Sequence, residues 1–182
     1  MEQKDYKLEI ICELLKGSDH IRAIAKKLET NHMNIVRKVK ELHEANVVDY
    51  TKKGKNYVYF IKKTIEAQNY AFLTEIYKLN KILEKYPNLR SIIEKIQKNK
   101  SIKLSLLFGS YAKGIAHKES DIDIYIETTN KKTKEEISMI NSSLSIKIGR
   151  YNKSDLLIKE IEKNHIIIKG IEEYYEKNKF FE

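Results

Sequence analysis

The strongest constraint in this chain is a pair of short apolar runs joined through a glycine-serine turn. Lys103-Leu104-Ser105-Leu106-Leu107-Phe108 has the apolar character of a buried strand, and Gly109-Ser110 leads straight into Tyr111-Ala112-Lys113-Gly114. A strand that passes through Gly-Ser directly into a helix leaves the first-turn N–H groups without intrahelical partners. Those groups and the Ser110 hydroxyl can hold phosphate oxygens. The second run, Ser120-Asp121-Ile122-Asp123-Ile124-Tyr125-Ile126, alternates. Its period of two puts Asp121 and Asp123 on one face and Ile122, Ile124 and Ile126 in the core. Two carboxylates beside a phosphate-holding turn suit a Mg²⁺ or Mn²⁺ ion that bridges to the phosphates of a nucleotide.

In this order and spacing, the residues resemble the G-S…G…S-D-I-D signature of the DNA polymerase β nucleotidyltransferase superfamily, in particular its minimal nucleotidyltransferase proteins. The resemblance implies an α/β domain over residues 88–182. It also implies transfer of a nucleotidyl group from a nucleoside triphosphate to a hydroxyl, on protein or RNA, by two-metal catalysis. Carried over residue by residue, it makes Gly109, Ser110 and Gly114 nucleotide-binding and Asp121 and Asp123 the catalytic metal ligands. Active members of the family add a third carboxylate from a later strand. Here the next strand is Leu144-Ser145-Ile146-Lys147-Ile148, whose apolar positions face the core and whose Ser145 and Lys147 face the site. Neither replaces a carboxylate, and a lysine ammonium there is expected to pair with Asp121 or Asp123 and compete with a cation. Asp155 reads as a first-turn helix residue. Glu127 lies four residues beyond Asp123, too far along the strand to share one ion.

The first third of the chain is organised differently. Leu8, Ile11, Cys12 and Leu15 fall at i, i+3, i+4 and i+7 before Gly17, which predicts a helix over residues 5–16. Ser18 or Asp19 can cap a second helix carrying Ile21, Ile24, Ala25 and Leu28, and Thr30 a third whose stripe is Ile35, Val39 and Leu42. The short join between the second and third has helix-turn-helix spacing. Val47–Tyr50 and Tyr57–Ile61 flank Thr51-Lys52-Lys53-Gly54-Lys55-Asn56 as a hairpin. Three helices and a basic-tipped hairpin resemble a winged helix-turn-helix DNA-binding domain over residues 1–63. That resemblance implies double-stranded DNA as partner, with Asn31, Asn34, Arg37 and Lys38 in the major groove and Lys52, Lys53 and Lys55 on backbone phosphate. A module for protein–protein contact is the other reading of the same pattern.

Residues 64–87 read as a connecting helix, with Ile65, Phe72, Ile76, Leu79 and Leu83 near a seven-residue register. Such a register serves either as the seam of a homodimer or as packing on the helix's own domain. Pro87 ends it. Beyond the aspartates, Ser154–Lys163 and Ile171–Lys177 read as helices and His165–Lys169 as a strand.

Composition fits this organisation. The 182 residues allow one large domain or two small ones. The 35 Lys+Arg against 26 Asp+Glu give a net charge of +9, which favours a polyanionic partner, although lysine also serves solubility alone. Apolar runs such as Ile166–Ile168 are too short to cross a bilayer. Met1-Glu2-Gln3-Lys4-Asp5 lacks the apolar stretch of a secretory leader, and the lone Cys12 fits a reducing cytoplasm. The fold class is thus α+β, a winged helix joined by a long helix to a nucleotidyltransferase-like mixed sheet with flanking helices. Three functions follow. One is a DNA-binding regulator whose nucleotidyltransferase-like domain binds a nucleoside triphosphate with Mg²⁺ but has weak or no catalysis. Another is an active nucleotidyltransferase, and the third is the antitoxin-like role that such minimal proteins have beside HEPN-type ribonuclease toxins.

Overall fold

In the computed structural model, which describes residues 4–182, the first helix starts where Asp5 accepts hydrogen bonds from the backbone N–H groups of Lys7 (2.9 Å) and Leu8 (3.3 Å). This helix, α1 (Tyr6–Leu15), buries Ile10, Ile11 and Leu14. Leu8, Cys12 and Leu15 of the expected stripe are only half-buried. Apolar residues surround much of this helix, so periodicity alone does not choose its inner face. Packing against the third helix does. Met1-Glu2-Gln3, on which the leader reading partly rests, lies outside the described residues.

A two-residue strand that the sequence reading lacked, β1 (Asp19–His20), precedes α2 (Ile21–Lys27). The cap of α2 is His20, whose Nδ1 accepts from Ala23 N at 3.3 Å, and not Ser18 or Asp19. The Asp19 carboxylate is instead held by Lys27 Nζ at 2.9 Å. The third helix, α3 (His32–Glu44), is capped by Asn31 rather than Thr30, with Met33 N donating to Asn31 Oδ1 at 2.8 Å. Its buried residues Ile35, Val39 and Leu42 are the expected stripe. The hairpin strands β2 (Val48–Lys53) and β3 (Asn56–Ile61) run further toward the turn than expected. Lys53 pairs with Asn56, which leaves Gly54-Lys55 as a two-residue connection with Gly54 at φ +61°. Strand order β1-β3-β2 completes a winged-helix arrangement.

Helix α4 (Ile65–Lys85) follows. Two compact units divide inside it, one ending at Tyr77 and reclaiming Asn178–Glu182, the other spanning Lys78–Lys177. Its buried residues include Ala67, Ala71, Leu79 and Ile82, while Ile65, Leu73 and Ile76 are 65%, 51% and 47% exposed. Of the expected heptad stripe, Ile65 and Ile76 face solvent, Leu79 is buried, and Phe72 and Leu83 are half-buried. No helix among the described residues is long and apolar enough to cross a membrane.

The second unit is a four-stranded sheet with helices. A short turn of 3₁₀ helix (Pro87–Leu89) leads to α5 (Arg90–Lys98), β4 (Ser105–Phe108), α6 (Gly109–Ala112) and β5 (Ile122–Glu127). Then come α7 (Lys131–Ser138), β6 (Leu144–Gly149), α8 (Leu156–Lys163), β7 (Ile166–Lys169) and α9 (Ile171–Asn178). Strand order is β6-β5-β4-β7, with β5 and β6 parallel and the other pairs antiparallel. A parallel neighbour requires a crossover, and α7 supplies it although only Thr133 and Ile137 of that polar segment are buried. Leu107, Ile122, Ile124, Ile126 and Ile146 form one core with Ile92, Ile93 and Ile96 of α5, so the aspartate face of β5 points the other way.

The β7–α9 junction is tight. Gly170 has φ +82°, and a Cβ there would overlap the Lys103 carbonyl oxygen and sit 3.1 Å from its carbon. Gly170→Ala is expected to destabilise the second unit by roughly 2–4 kcal/mol, from backbone strain and overlap combined. A shift of the denaturant midpoint at constant m would measure it.

Candidate functional site

The aspartate face of β5 has an open end and a sealed end. At the sealed end, the Tyr125 hydroxyl donates to Gly149 O at 3.0 Å, and burial pushes its phenol well above the ordinary range, with the charges of Glu127 and Asp155 adding to the effect. Glu127 accepts from Tyr151 N at 3.2 Å and pairs with Lys177 of α9 at 3.1 Å. Glu127 is thus committed to structure, by contacts 24 and more residues away that no local pattern announces.

At the open end lie Asp121, exposed, and Asp123, half-buried. Neither carboxylate forms a hydrogen bond or ion pair among the described residues. In a chain with an excess of lysine this is informative, because nothing neutralises two carboxylates that share one face. The expected partner Lys147 is not there. It is exposed, pairs in register with Tyr125, and makes no ion pair with either aspartate. The reason lies in register: Ser145, not Lys147, stands across from Asp123. Asp155 is the N-cap of α8, accepting from Leu157 N at 2.8 Å, one position before the first turn. No group of three or more His, Cys, Asp or Glu residues placed to hold a metal ion occurs among the described residues.

The glycine-serine turn meets the Asp123 carboxylate directly. Phe108 pairs with Asp123 across β4 and β5, so Gly109 falls against the Asp123 side chain. A Cβ at Gly109, which has φ +70°, would overlap Asp123 Oδ2 and lie 3.2 Å from Cγ. Only glycine permits that approach. No side chain caps the start of α6, and the half-buried Ser110 hydroxyl has no partner among the described residues. Gly114, at φ +70°, closes the same helix: Gly114 N donates to Tyr111 O and Ile115 N to Ser110 O, both at 3.0 Å.

The turn is also gripped from a distance. Lys85 Nζ donates to Gly114 O at 2.7 Å, Tyr86 Oη to Ala116 O at 3.4 Å, and the Tyr86 and Tyr111 rings meet edge to face at 4.9 Å. Sequence pattern gives Lys85 and Tyr86 no part in the site, because nearly thirty residues separate them from the Gly114 and Ala116 carbonyls that they bond.

In the first unit, the residues expected on DNA divide by their commitments. Asn31 caps α3, Asn34 bonds to Thr30 Oγ1 and accepts from Arg37 at 3.4 Å, and Lys38 Nζ is held by both oxygens of Glu41 at 3.1 Å. Glu41 also pairs with Lys7 at 2.9 Å, and these lysines hold its carboxyl below the ordinary range. Arg37, Lys52, Lys53 and Lys55 remain exposed and without ion pairs among the described residues.

Residues 90–174 match the family described as "Polymerase beta, Nucleotidyltransferase", which supports a nucleotidyltransferase-like domain in the second unit. No curated protein matches. Among solved structures, the transcriptional repressor BigR from Xylella fastidiosa is similar at 18% identity and a TM-score of 0.37, over 41% of this chain and 73% of that one.

The donor set fits Mg²⁺ or Mn²⁺ as a nucleotide brings it: two uncommitted hard-oxygen carboxylates, with the remaining positions left for phosphate oxygens and water. Since Ser145 faces Asp123, Ser145→Asp is expected to add a third ligand and tighten Mn²⁺ binding at least tenfold. Titration of free Mn²⁺ by electron paramagnetic resonance reads the change directly.

Proposed function

We propose that this chain is a DNA-binding protein whose nucleotidyltransferase-like domain binds a nucleoside triphosphate and Mg²⁺, with weak or silent chemistry and a regulatory role. The observation that carries the reading is Asp123, its carboxylate uncommitted among the described residues and set against Gly109, beside a helix start that no side chain caps, with the equally uncommitted Asp121 two residues before it. Ser110 and the N–H groups of that turn take phosphate oxygens, and Gly114 keeps the turn short enough to present them. A divalent ion bound by the aspartates offsets the phosphate charge. Ser145 across from Asp123 cannot act as the third carboxylate, which favours binding over rapid transfer.

The absence of Lys147 from the aspartates supports a second reading, an active enzyme that passes a nucleotidyl group to a protein or RNA hydroxyl, with an antitoxin-like setting among its uses. The discriminating experiment incubates the protein with each α-labelled nucleoside triphosphate and Mg²⁺ or Mn²⁺ beside an Asp121→Ala, Asp123→Ala variant. Label retained reversibly and lost in the variant, with no covalent transfer, is expected. Covalent transfer that the variant abolishes would establish the enzyme.

On the first unit, Arg37, Lys52, Lys53 and Lys55 supply the phosphate contacts to double-stranded DNA. The exposed Ile65, Leu73 and Ile76 on α4 offer a seam for a second copy of the chain, which suits two half-sites. Reversing Arg37 and Lys53 to Glu is expected to weaken duplex binding at least tenfold and to lower the slope of log K against log salt by about 2. An unchanged slope would place the basic interface elsewhere.

A further inference from the structure

The first unit contains a concave feature that neither reading above uses. A cavity of about 260 Å³ opens between the β2–β3 hairpin and the starts of α2 and α3. Arg22, His32, Lys55, Asn56, Tyr57 and Tyr59 line it, and no carboxylate does.

Its chemistry is specific in three respects. The Arg22 guanidinium and Lys55 ammonium enter no ion pair or hydrogen bond among the described residues, whereas Lys7, Lys27 and Lys38 of the same unit are all paired with carboxylates. The adjacent acid, Asp19, is already occupied by Lys27. Two free cations at one cavity call for an anion with several oxygens. The tyrosine walls call for a planar body: the exposed Tyr57 ring meets Tyr50 edge to face at 5.0 Å, and Tyr50 meets Tyr59 at 5.6 Å, so one cluster of rings lines the cavity. The volume lies just below the usual range of small-molecule sites, which limits that body to about one nucleotide.

We propose that this cavity binds a free mononucleotide. Its phosphate lies on Arg22 and Lys55 with the His32 imidazole beside them, its base lies against the Tyr57 ring, and the Asn56 amide bonds a base edge. Duplex DNA presents the same phosphate chemistry but keeps its bases stacked, so it would use the cations and leave the tyrosine walls idle. Dependence on Tyr57 therefore separates the two sources. The inference rests neither on the Asp121–Asp123 site nor on DNA binding. Because Lys55 also belongs to the basic hairpin tip, a nucleotide here and DNA on that tip compete for one cation.

Calorimetric titration of the full chain with AMP, GMP, CMP and UMP, and with inorganic phosphate, tests this in EDTA so that no divalent ion assists the second unit. At least one mononucleotide is expected to bind wild type and the Asp121→Ala, Asp123→Ala variant equally. Arg22→Ala and Tyr57→Ala should each weaken it at least tenfold, and phosphate alone should bind at least tenfold more weakly than the nucleotide. Both replaced side chains are exposed, and the far-UV circular dichroism of each variant is to match wild type before its binding is compared. The proposal is overturned by any of three results: no heat from any mononucleotide, binding lost in the aspartate variant but kept in Arg22→Ala, or phosphate binding that equals the nucleotide's and ignores Tyr57→Ala. The last result would make the cavity a phosphate seat for duplex DNA.

Discussion

The contact on which the second unit's chemistry depends is the approach of Gly109 to Asp123. It follows from register. Antiparallel pairing sets Phe108 opposite Asp123, so Gly109, the residue after β4, turns beside that carboxylate, and its positive φ and close approach to the side chain favour glycine. The same turn starts α6, whose uncapped N–H groups then lie beside the acid pair. Strand, turn and carboxylate are thus one construction.

Commitment of the carboxylates elsewhere defines that site as much as the aspartates do. Glu127 has the right chemistry and the right face, but Lys177 and Tyr151 N hold it. Asp155 is used as a cap, and Glu162 accepts from the hydroxyls of Tyr174 and Tyr151. On the aspartate face of β5, Asp121 and Asp123 keep carboxylates without an ion pair or side-chain hydrogen bond among the described residues. Carboxylates without a lysine partner are open to an incoming cation, which is why the pair carries the functional reading. The first unit shows the complementary pattern, in which Lys38 is neutralised by Glu41 while Arg22 and Lys55 are left open.

Helix α4 links the two constructions through its composition. Its inner side uses small residues, Ala67 and Ala71, where it lies in the first unit, and larger ones, Leu79 and Ile82, where it enters the second. At its end, Lys85 and Tyr86 bond the carbonyls of Gly114 and Ala116. The glycine turn is therefore fixed both by sheet register and by a helix far earlier in the chain.

The sequence by itself determined the periodic features: the α3 stripe of Ile35, Val39 and Leu42, the alternation that separates Asp123 from Ile122 and Ile124, and the strand, Gly-Ser and helix order. These rest on local geometry, which repeats every 2 or 3.6 residues and so is written in neighbouring positions. Tertiary structure decided the rest. It chose the inner face of α1 where apolar residues offered two, and it paired β1 with β3. It made His20 and Asn31 the caps, and it set Ser145 rather than Lys147 across from Asp123. Each of those outcomes depends on which distant segment arrives alongside, and pairing across a sheet or between helices leaves no periodic trace in either partner.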